Sequence, residues 1–418
     1  MNNTSDNSNE LPILLIPSLR AGGGAERQVE ILYKKGIFSE IITLENINEF
    51  DIPDSAITCL TQHNRNTSRV FMTLFIPIYA WLLYKHVRSS KARTIVSVLE
   101  RANFVNIVAK PLLKHRAITN TQVHVFSFYT SKSEKLNLLL MRILYRFADR
   151  VSANSSLTVN DLQSNFNLET ERCFLLPNFY YSDSIQKRAQ QPLSEFHQSI
   201  FSHTTLLNVG RLMPQKGPWH ALRLFAQVHK LNPAVKLVML NDGELRDDLI
   251  ELAKRLGLET YSSFNNDEEH TNYDVFFLGI QKNPYQFFSR CTISIHPSYC
   301  EGLPNALIES RISGAACVAS DCPSGPREII APESNIYDIA KQPEVLPEGV
   351  LLPPFLGGDP NWTIDTLDKV ENMWVEVLTK LLGSPEQITQ IRQKSQTAIR
   401  RYDIDNAQQF TDALLASN

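Results

Sequence analysis

The chain has 418 residues, 43% of them apolar and 20% charged, with a formal net charge of −3. That length holds two ordinary α/β domains with full cores, and the composition excludes a disordered, collagen-like or disulfide-scaffold protein. Six cysteines, at 59, 173, 291, 300, 317 and 322, form no CxxC pair and no zinc spacing, so they read as reduced thiols of a cytoplasmic protein.

The polar start MNNTSDNSNE reads as a leader outside the fold. LPILLIPSL (11–19) is a buried strand, and the glycines Gly22, Gly23 and Gly24 lead into the helix QVEILYKK, stopped by Gly36. IITLE, ARTIVSVL and TQVHVFSF are further strands with helices between them, the pattern of a parallel, doubly wound sheet. VFMTLFIPIYAWLLYKHV (70–87) reaches the minimum spanning length of about 17 residues, but Pro77 interrupts it. Tyr79, Trp81 and Tyr84, followed by Lys85, His86, Arg88, Lys91 and Arg93, suit an interfacial helix better than a span; a core helix is the compatible alternative. The two halves differ in charge. Residues 1–190 carry 22 Lys and Arg against 16 Asp and Glu, and residues 85–150 carry 13 against 3. Such a region is either a solvated surface or an attraction for anionic lipid or a diphosphate-linked acceptor.

ADRVSANS and LTVNDLQSNF give a strand and a helix, and the polar stretch 182–202 reads as a linker. A second α/β series runs through TTLLNVGRL, KLVMLNDGELRDDLIELAKRLGL, VFFLGIQKNPYQFF and CTISIH. Residues 331–365, rich in Pro and Gly, read as an irregular loop, and a last helix runs from about 385 to 417. The expected division is a first domain over 11–181, the linker, a second domain over 203–384 and a tail over 385–418 that returns toward the first.

Three clusters carry chemistry. Gly22-Gly23-Gly24-Ala25-Glu26-Arg27 follows a strand and opens a helix, where glycines permit close approach and the helix start favours anions. Arg211 and Lys216 stand five apart in the loop of VGRL…QKG, free to converge on one anionic ligand. Glu301 and Glu309 stand eight apart in SYCEGLPNALIES, the first in a loop at a helix start and the second in the second turn, where carboxylates can bind sugar hydroxyls.

That segment resembles the EX7E signature of retaining glycosyltransferases of family 4, and GGGAER resembles the family's GGxE loop. VGRL…QKG, FLGI and GPREI match further family loops, so the resemblance covers roughly residues 11–410. It implies a GT-B fold, two Rossmann-like doubly wound domains facing across a cleft. It also implies a transfer from a nucleotide diphosphate sugar to a glycan acceptor carried on polyprenyl diphosphate, in surface polysaccharide synthesis. Glu301, Arg211 and Lys216 become the catalytic group, Glu301 at the donor sugar and the two cations at the diphosphate. Gly23, Gly24, Gly243, Ile280, Gly302, Leu303 and Glu309 complete the donor site, and Glu26 and Arg27 meet the acceptor. The family usually has glycine where Asn241 stands; asparagine tolerates the same left-handed backbone. Many members place a histidine in the first domain, and here that position falls on Ser127, with His124 three residues earlier. No DxD motif precedes the chemistry, so no metal is expected; no cofactor and no nucleic-acid partner are expected either. A nucleotide-sugar 2-epimerase on the same fold and a non-catalytic sugar-nucleotide-binding subunit remain as alternatives.

Overall fold

The computed structural model describes residues 11–407 apart from 21–22, 64–68, 91, 124, 126–131, 266 and 364–365. The leader, Gly22, His124, Ser127 and the tail beyond 407 therefore lie outside the described residues. The chain divides into two units, the second running from Tyr180 to Asn406.

The first unit holds seven parallel strands: β1 (Ile13–Ile16), β2 (Glu40–Thr43), β3 (Ile57–Cys59), β4 (Thr94–Val98), β5 (Arg116–Thr121), β6 (Arg150–Ala153) and β7 (Cys173–Leu175). Their order is β3-β2-β1-β4-β5-β6-β7. Two features depart from the expectation. The strand read over 121–128 stands on Arg116–Thr121 instead, and a further strand, β7, follows the one read in ADRVSANS. The β5 run is polar because its groups pair inside the sheet. Asn120 Nδ2 donates to Ser152 Oγ at 2.9 Å, Ser152 Oγ to the Thr119 carbonyl at 3.0 Å, and Asn103 Nδ2 to the Asn120 carbonyl at 3.0 Å. Satisfied in this way, polar side chains are buried without the usual cost. The stretch 70–87 forms two helices, Arg69–Leu74 and Ile76–Val87. The second buries Ile76, Tyr79, Ala80, Leu83 and Val87. Among the described residues no helix is long and apolar enough to cross a membrane.

The second unit holds β8 (Thr205–Val209), β9 (Lys236–Leu240), β10 (Thr260–Ser262), β11 (Val275–Gly279), β12 (Ile293–His296), β13 (Ala316–Ser320), β14 (Glu344–Leu346) and β15 (Gly349–Leu352). The order is β10-β11-β9-β8-β12-β13-β15-β14, parallel except for the β14–β15 hairpin. Alternate residues serve opposite faces. Leu237 and Met239 join one apolar cluster, while Val238 and Leu240 join another. Two further departures concern loops. The stretch 182–202 is not a bare linker but carries the helices Ser182–Ala189 and Glu195–Ile200, whose Ile185, Ala189 and Ile200 enter the core. The loop at 331–365 contributes β14 and β15. The last described α-helix is Pro385–Ala398.

Burial in the first unit makes stability depend on pH. His115 lies inside, its Nε2 2.6 Å from Asn106 Oδ1, and burial drives its ring down to about 4 from an ordinary 6.5. The unfolded chain therefore takes up this proton first on acidification. The stabilisation is full above pH 6.5 and is lost as pH falls toward 4, by up to about 3 kcal/mol. Denaturant titrations at pH 7 and 4.5 should show this loss for the first unit, and His115→Gln should flatten it.

Candidate active site

The candidate site is built at the carboxyl ends of parallel strands in the second unit. The order reverses at β8 and β12, since the chain runs outward from β8 through β9 on one side and resumes at β12 on the other. Such a reversal leaves the two following loops diverging, which opens a crevice for ligand. Arg211 and Lys216 follow β8, and Glu301 follows β12.

Those two loops are stitched together. Lys216 Nζ donates to both Glu301 oxygens, at 2.7 and 2.8 Å. Gln215 Nε2 donates to the Cys300 carbonyl at 2.8 Å, and the Tyr299 N–H to the Gln215 carbonyl at 2.9 Å. Glu301 is only 5% exposed, so its carboxylate depends on the lysine for compensation. Arg211 is exposed, and among the described residues it has no ion pair.

Neighbouring loops complete the rim. The Leu212 N–H donates to the Asp242 carbonyl at 3.1 Å and the Leu245 N–H to the Leu212 carbonyl at 3.0 Å. Gly243 is needed there, because a Cβ would come within 2.3 Å of the Leu212 carbonyl oxygen. Asn241 has φ +104°, so asparagine does adopt the backbone otherwise left to glycine. Ile280 is exposed just past β11, and the Asn241 N–H donates to the Gly279 carbonyl at 2.7 Å. Glu309 is buried on the helix Asn305–Ile312. Leu303 faces the core. The Glu301 loop is braced by the next one: the Glu301 N–H donates to the Pro323 carbonyl at 2.8 Å and Ser324 Oγ to the Gly302 carbonyl at 2.9 Å. Arg327 of GPREI is spent on structure, pairing with Asp321 and Glu344.

In the first unit, Gly23 caps the helix Gly24–Lys34, and the Glu26 carboxylate folds back over it, lying where a Cβ on Gly23 would stand. Arg27 is half-buried on the same turn. Glu45, at the end of β2, is buried and pairs with Arg101 on the helix after β4.

Sequence reading missed a support beneath Lys216. His220 Nδ1 lies 2.8 Å from Glu371 and its Nε2 lies 2.7 Å from the Tyr299 hydroxyl, while Arg223 grips both Glu371 oxygens at 2.7 and 2.9 Å. Burial raises the Glu371 carboxyl, but bonds from His220 and Arg223 outweigh it and hold the group at about 2. His296, buried 2.9 Å from Ser294 Oγ, is pushed down to about 3 by burial and then by Lys216, so it stays neutral. Burial and the Glu301 charge raise the Cys322 thiol, which rules it out as a thiolate nucleophile. Only the ISIH and KGPWH strings flag the two histidines, and neither string marks them as site residues. Among the described residues no cluster of three or more His, Cys, Asp or Glu is placed to hold a metal ion.

Residues 197–350 match the family model described as glycosyl transferases group 1. A Campylobacter jejuni protein is 30% identical over 315 residues, covering 73% of this chain and 80% of its own. The chain belongs to the glycosyl transferases group 1 family. The Campylobacter relative is named an N-acetylgalactosamine-N,N'-diacetylbacillosaminyl-diphospho-undecaprenol 4-alpha-N-acetylgalactosaminyltransferase. A Methanocaldococcus jannaschii protein described as an uncharacterized glycosyltransferase is 30% identical over 282 residues, 65% of this chain and 66% of that one. The fold of this glycosyltransferase is GT-B. Anabaena HepE crystallised with UDP-glucose superposes with a TM-score of 0.73 at 16% identity, covering 97% of this chain and 99% of that one. Sucrose-phosphate synthase from Thermosynechococcus elongatus gives 0.74 at 15%, covering 97% and 98%.

The loop geometry is testable at Gly217. It has φ +56°, and a Cβ there would come within 2.4 Å of the Pro297 carbonyl oxygen; Gly257 has φ +77° with open space around it. Gly257→Ala should cost about 1–2 kcal/mol of backbone strain. Gly217→Ala should cost more, because the loop must also move away from β12. Equal losses in denaturant titrations would show that the two loops are not in contact.

Proposed function

We propose that this glycosyltransferase moves a hexose or N-acetylhexosamine from a UDP-sugar to a hydroxyl of a glycan carried on polyprenyl diphosphate, with retention of configuration. The observation that carries the reading is the Lys216–Glu301 pair at the strand reversal, in loops that also bear the exposed Arg211. Arg211 and Lys216 neutralise the diphosphate as its bond to the anomeric carbon breaks, which leaves no need for a divalent metal. Glu301 holds the donor sugar, with the Gly302 and Leu303 backbone beside it. Glu309 takes the ribose, and the backbone at Gly243 and Ile280 receives the phosphates and base. In the first unit, the resemblance assigns Gly23 and Gly24 to the donor and Glu26 and Arg27 to the acceptor. The acceptor oxygen bonds to the anomeric carbon on the face that the phosphate leaves, and the departing phosphate oxygen takes the acceptor proton. No protein nucleophile is needed.

The donor assignment is supported by the EX7E resemblance and by the UDP-glucose held in the Anabaena structure. The acceptor assignment is supported by the diphospho-undecaprenol named in the Campylobacter relative.

Glu301→Gln should lower turnover by about 10²-fold or more while UDP still binds. Activity within a few-fold of the parent would remove Glu301 from the mechanism. Arg211→Ala should weaken UDP far more than uridine, by about 1.5–3 kcal/mol in calorimetry, because only UDP carries the phosphates. Equal affinity for UDP in parent and variant would displace the diphosphate from this loop. Activity should persist in EDTA. Donor turned over without any acceptor would indicate epimerase chemistry instead.

A further inference from the structure

The sheet of the first unit repeats the arrangement that builds the candidate active site. Its strand order reverses at β1 and β4, with β2 and β3 beyond β1 on one side and β5, β6 and β7 beyond β4 on the other. Loops leaving the carboxyl ends of two such strands diverge and open a crevice, as they do between β8 and β12. Arg20 follows β1, Glu45 follows β2, and Arg101 follows β4, in the first turn of the helix Glu100–Leu113. The three strands are neighbours in the sheet, so their loops bring these side chains together.

Arg101 Nη2 lies 2.5 Å from Glu45 Oε1, and Arg20 Nη2 lies 3.9 Å from Glu45 Oε2. The Leu44 and Glu45 N–H groups both donate to the Pro17 carbonyl, at 3.1 and 2.9 Å, which ties the β2 loop to the β1 loop. Arg101 Nη1 also donates to Met72 Sδ at 2.6 Å. Leu99, at the turn from β4 into the helix, has φ +71°. A bulky side chain holds such a backbone only where its surroundings enforce it. That turn delivers Arg101 to the strand ends.

Exposure decides what the cluster can bind. The Glu45 side chain is 3% exposed, against 23% for Arg101 and 44% for Arg20. The carboxylate is therefore spent inside, and two positive charges against one negative leave an excess at the surface. Arg20 Nε, withdrawn from water, has no hydrogen-bond partner among the described residues. An oxygen arriving from a ligand would satisfy it at a gain. Neutral sugar hydroxyls are recognised by donors and acceptors together; donors alone, with excess positive charge, select an oxyanion.

We infer that Arg20 and Arg101, set by the buried Glu45, form an oxyanion site that receives the anionic group of the acceptor. Assigning that group to the acceptor rests on the transferase reading above, whereas the anion site itself rests on the first unit alone. The group is either the diphosphate of the carrier or the carboxylate of an acidic sugar, and a guanidinium fork matches both.

The test is calorimetry on the full chain saturated with UDP, which fills the proposed phosphate site of the second unit. Inorganic pyrophosphate and glucuronate are titrated separately. Binding of pyrophosphate identifies the carrier's diphosphate, and binding of glucuronate an acidic sugar. Arg20→Gln should weaken the bound anion about tenfold. Arg101→Gln alone would leave Glu45 buried without its partner, so it is combined with Glu45→Gln; the double variant should also weaken the anion about tenfold or more. UDP affinity should hold in both variants, and unchanged melting curves confirm that they fold. Neither anion binding to the UDP-saturated chain, or parent-like binding by both folded variants, would overturn the inference. So would binding that Arg211→Ala abolishes and Arg20→Gln spares. A chain that fails to bind UDP yet binds pyrophosphate through Arg20 would instead refute the donor reading and keep this site.

Discussion

A buried carboxylate must be compensated, and in this protein that requirement ties two strands into one site. Glu301 sits almost wholly inside the second unit, and the lysine that neutralises it comes from the neighbouring strand's loop, 85 positions earlier. Either charge alone would cost several kcal/mol in that setting. The pair therefore forms only if β8 and β12 are adjacent, parallel and in register. The glycine at 217, the bonds through Gln215 and Tyr299, and the brace from Ser324 all serve that alignment. In the proposed reading, a ligand with its own negative charge meets a lysine already held in place, so little ordering remains to be done when it binds.

Beneath the pair runs a second layer of the same logic. Glu371 begins the helix Lys369–Leu382, where Asp368 caps it and their side chains exchange bonds with the backbone. From that anchored position it orients His220 and Arg223, and His220 reaches Tyr299. Glu371 is thus connected to the Glu301 loop through the buried His220 and the partly buried Tyr299. Polar networks of this sort resist rearrangement because breaking one bond strands several groups at once.

Much of this was legible in the residues. Short, mostly apolar runs locate β8, β9, β11 and β12, and the spacing from Glu301 to Glu309 with Pro304 between them marks a strand, loop and helix. What escaped the reading was long-range or polar. β5 escapes the pattern because Asn120 and Thr121 look like a loop until Ser152, Asn103 and Tyr145 supply their partners. The helices at 182–202 were missed because only Ile185, Ala189 and Ile200 face inward, too few for a period to stand out. The Glu371–His220 contact joins residues 151 apart, which no local pattern encodes. The family resemblance puts Lys216 on a ligand's phosphates, and in the structure it rests on Glu301.

The tryptophans are divided in a useful way. Trp219, Trp362 and Trp374 gather around Phe355 and Tyr299 in the second unit, with Trp219 and Trp374 shielded from water. Trp81 is the fourth, half exposed on the first unit beneath the Lys85 ammonium. Emission from the shielded group lies at shorter wavelength and resists aqueous quenchers, whereas Trp81 emits further to the red and is quenched readily. One unlabelled chain therefore carries two optical reporters, one beside the loops that bear Lys216 and Glu301 and one on the basic face of the other unit.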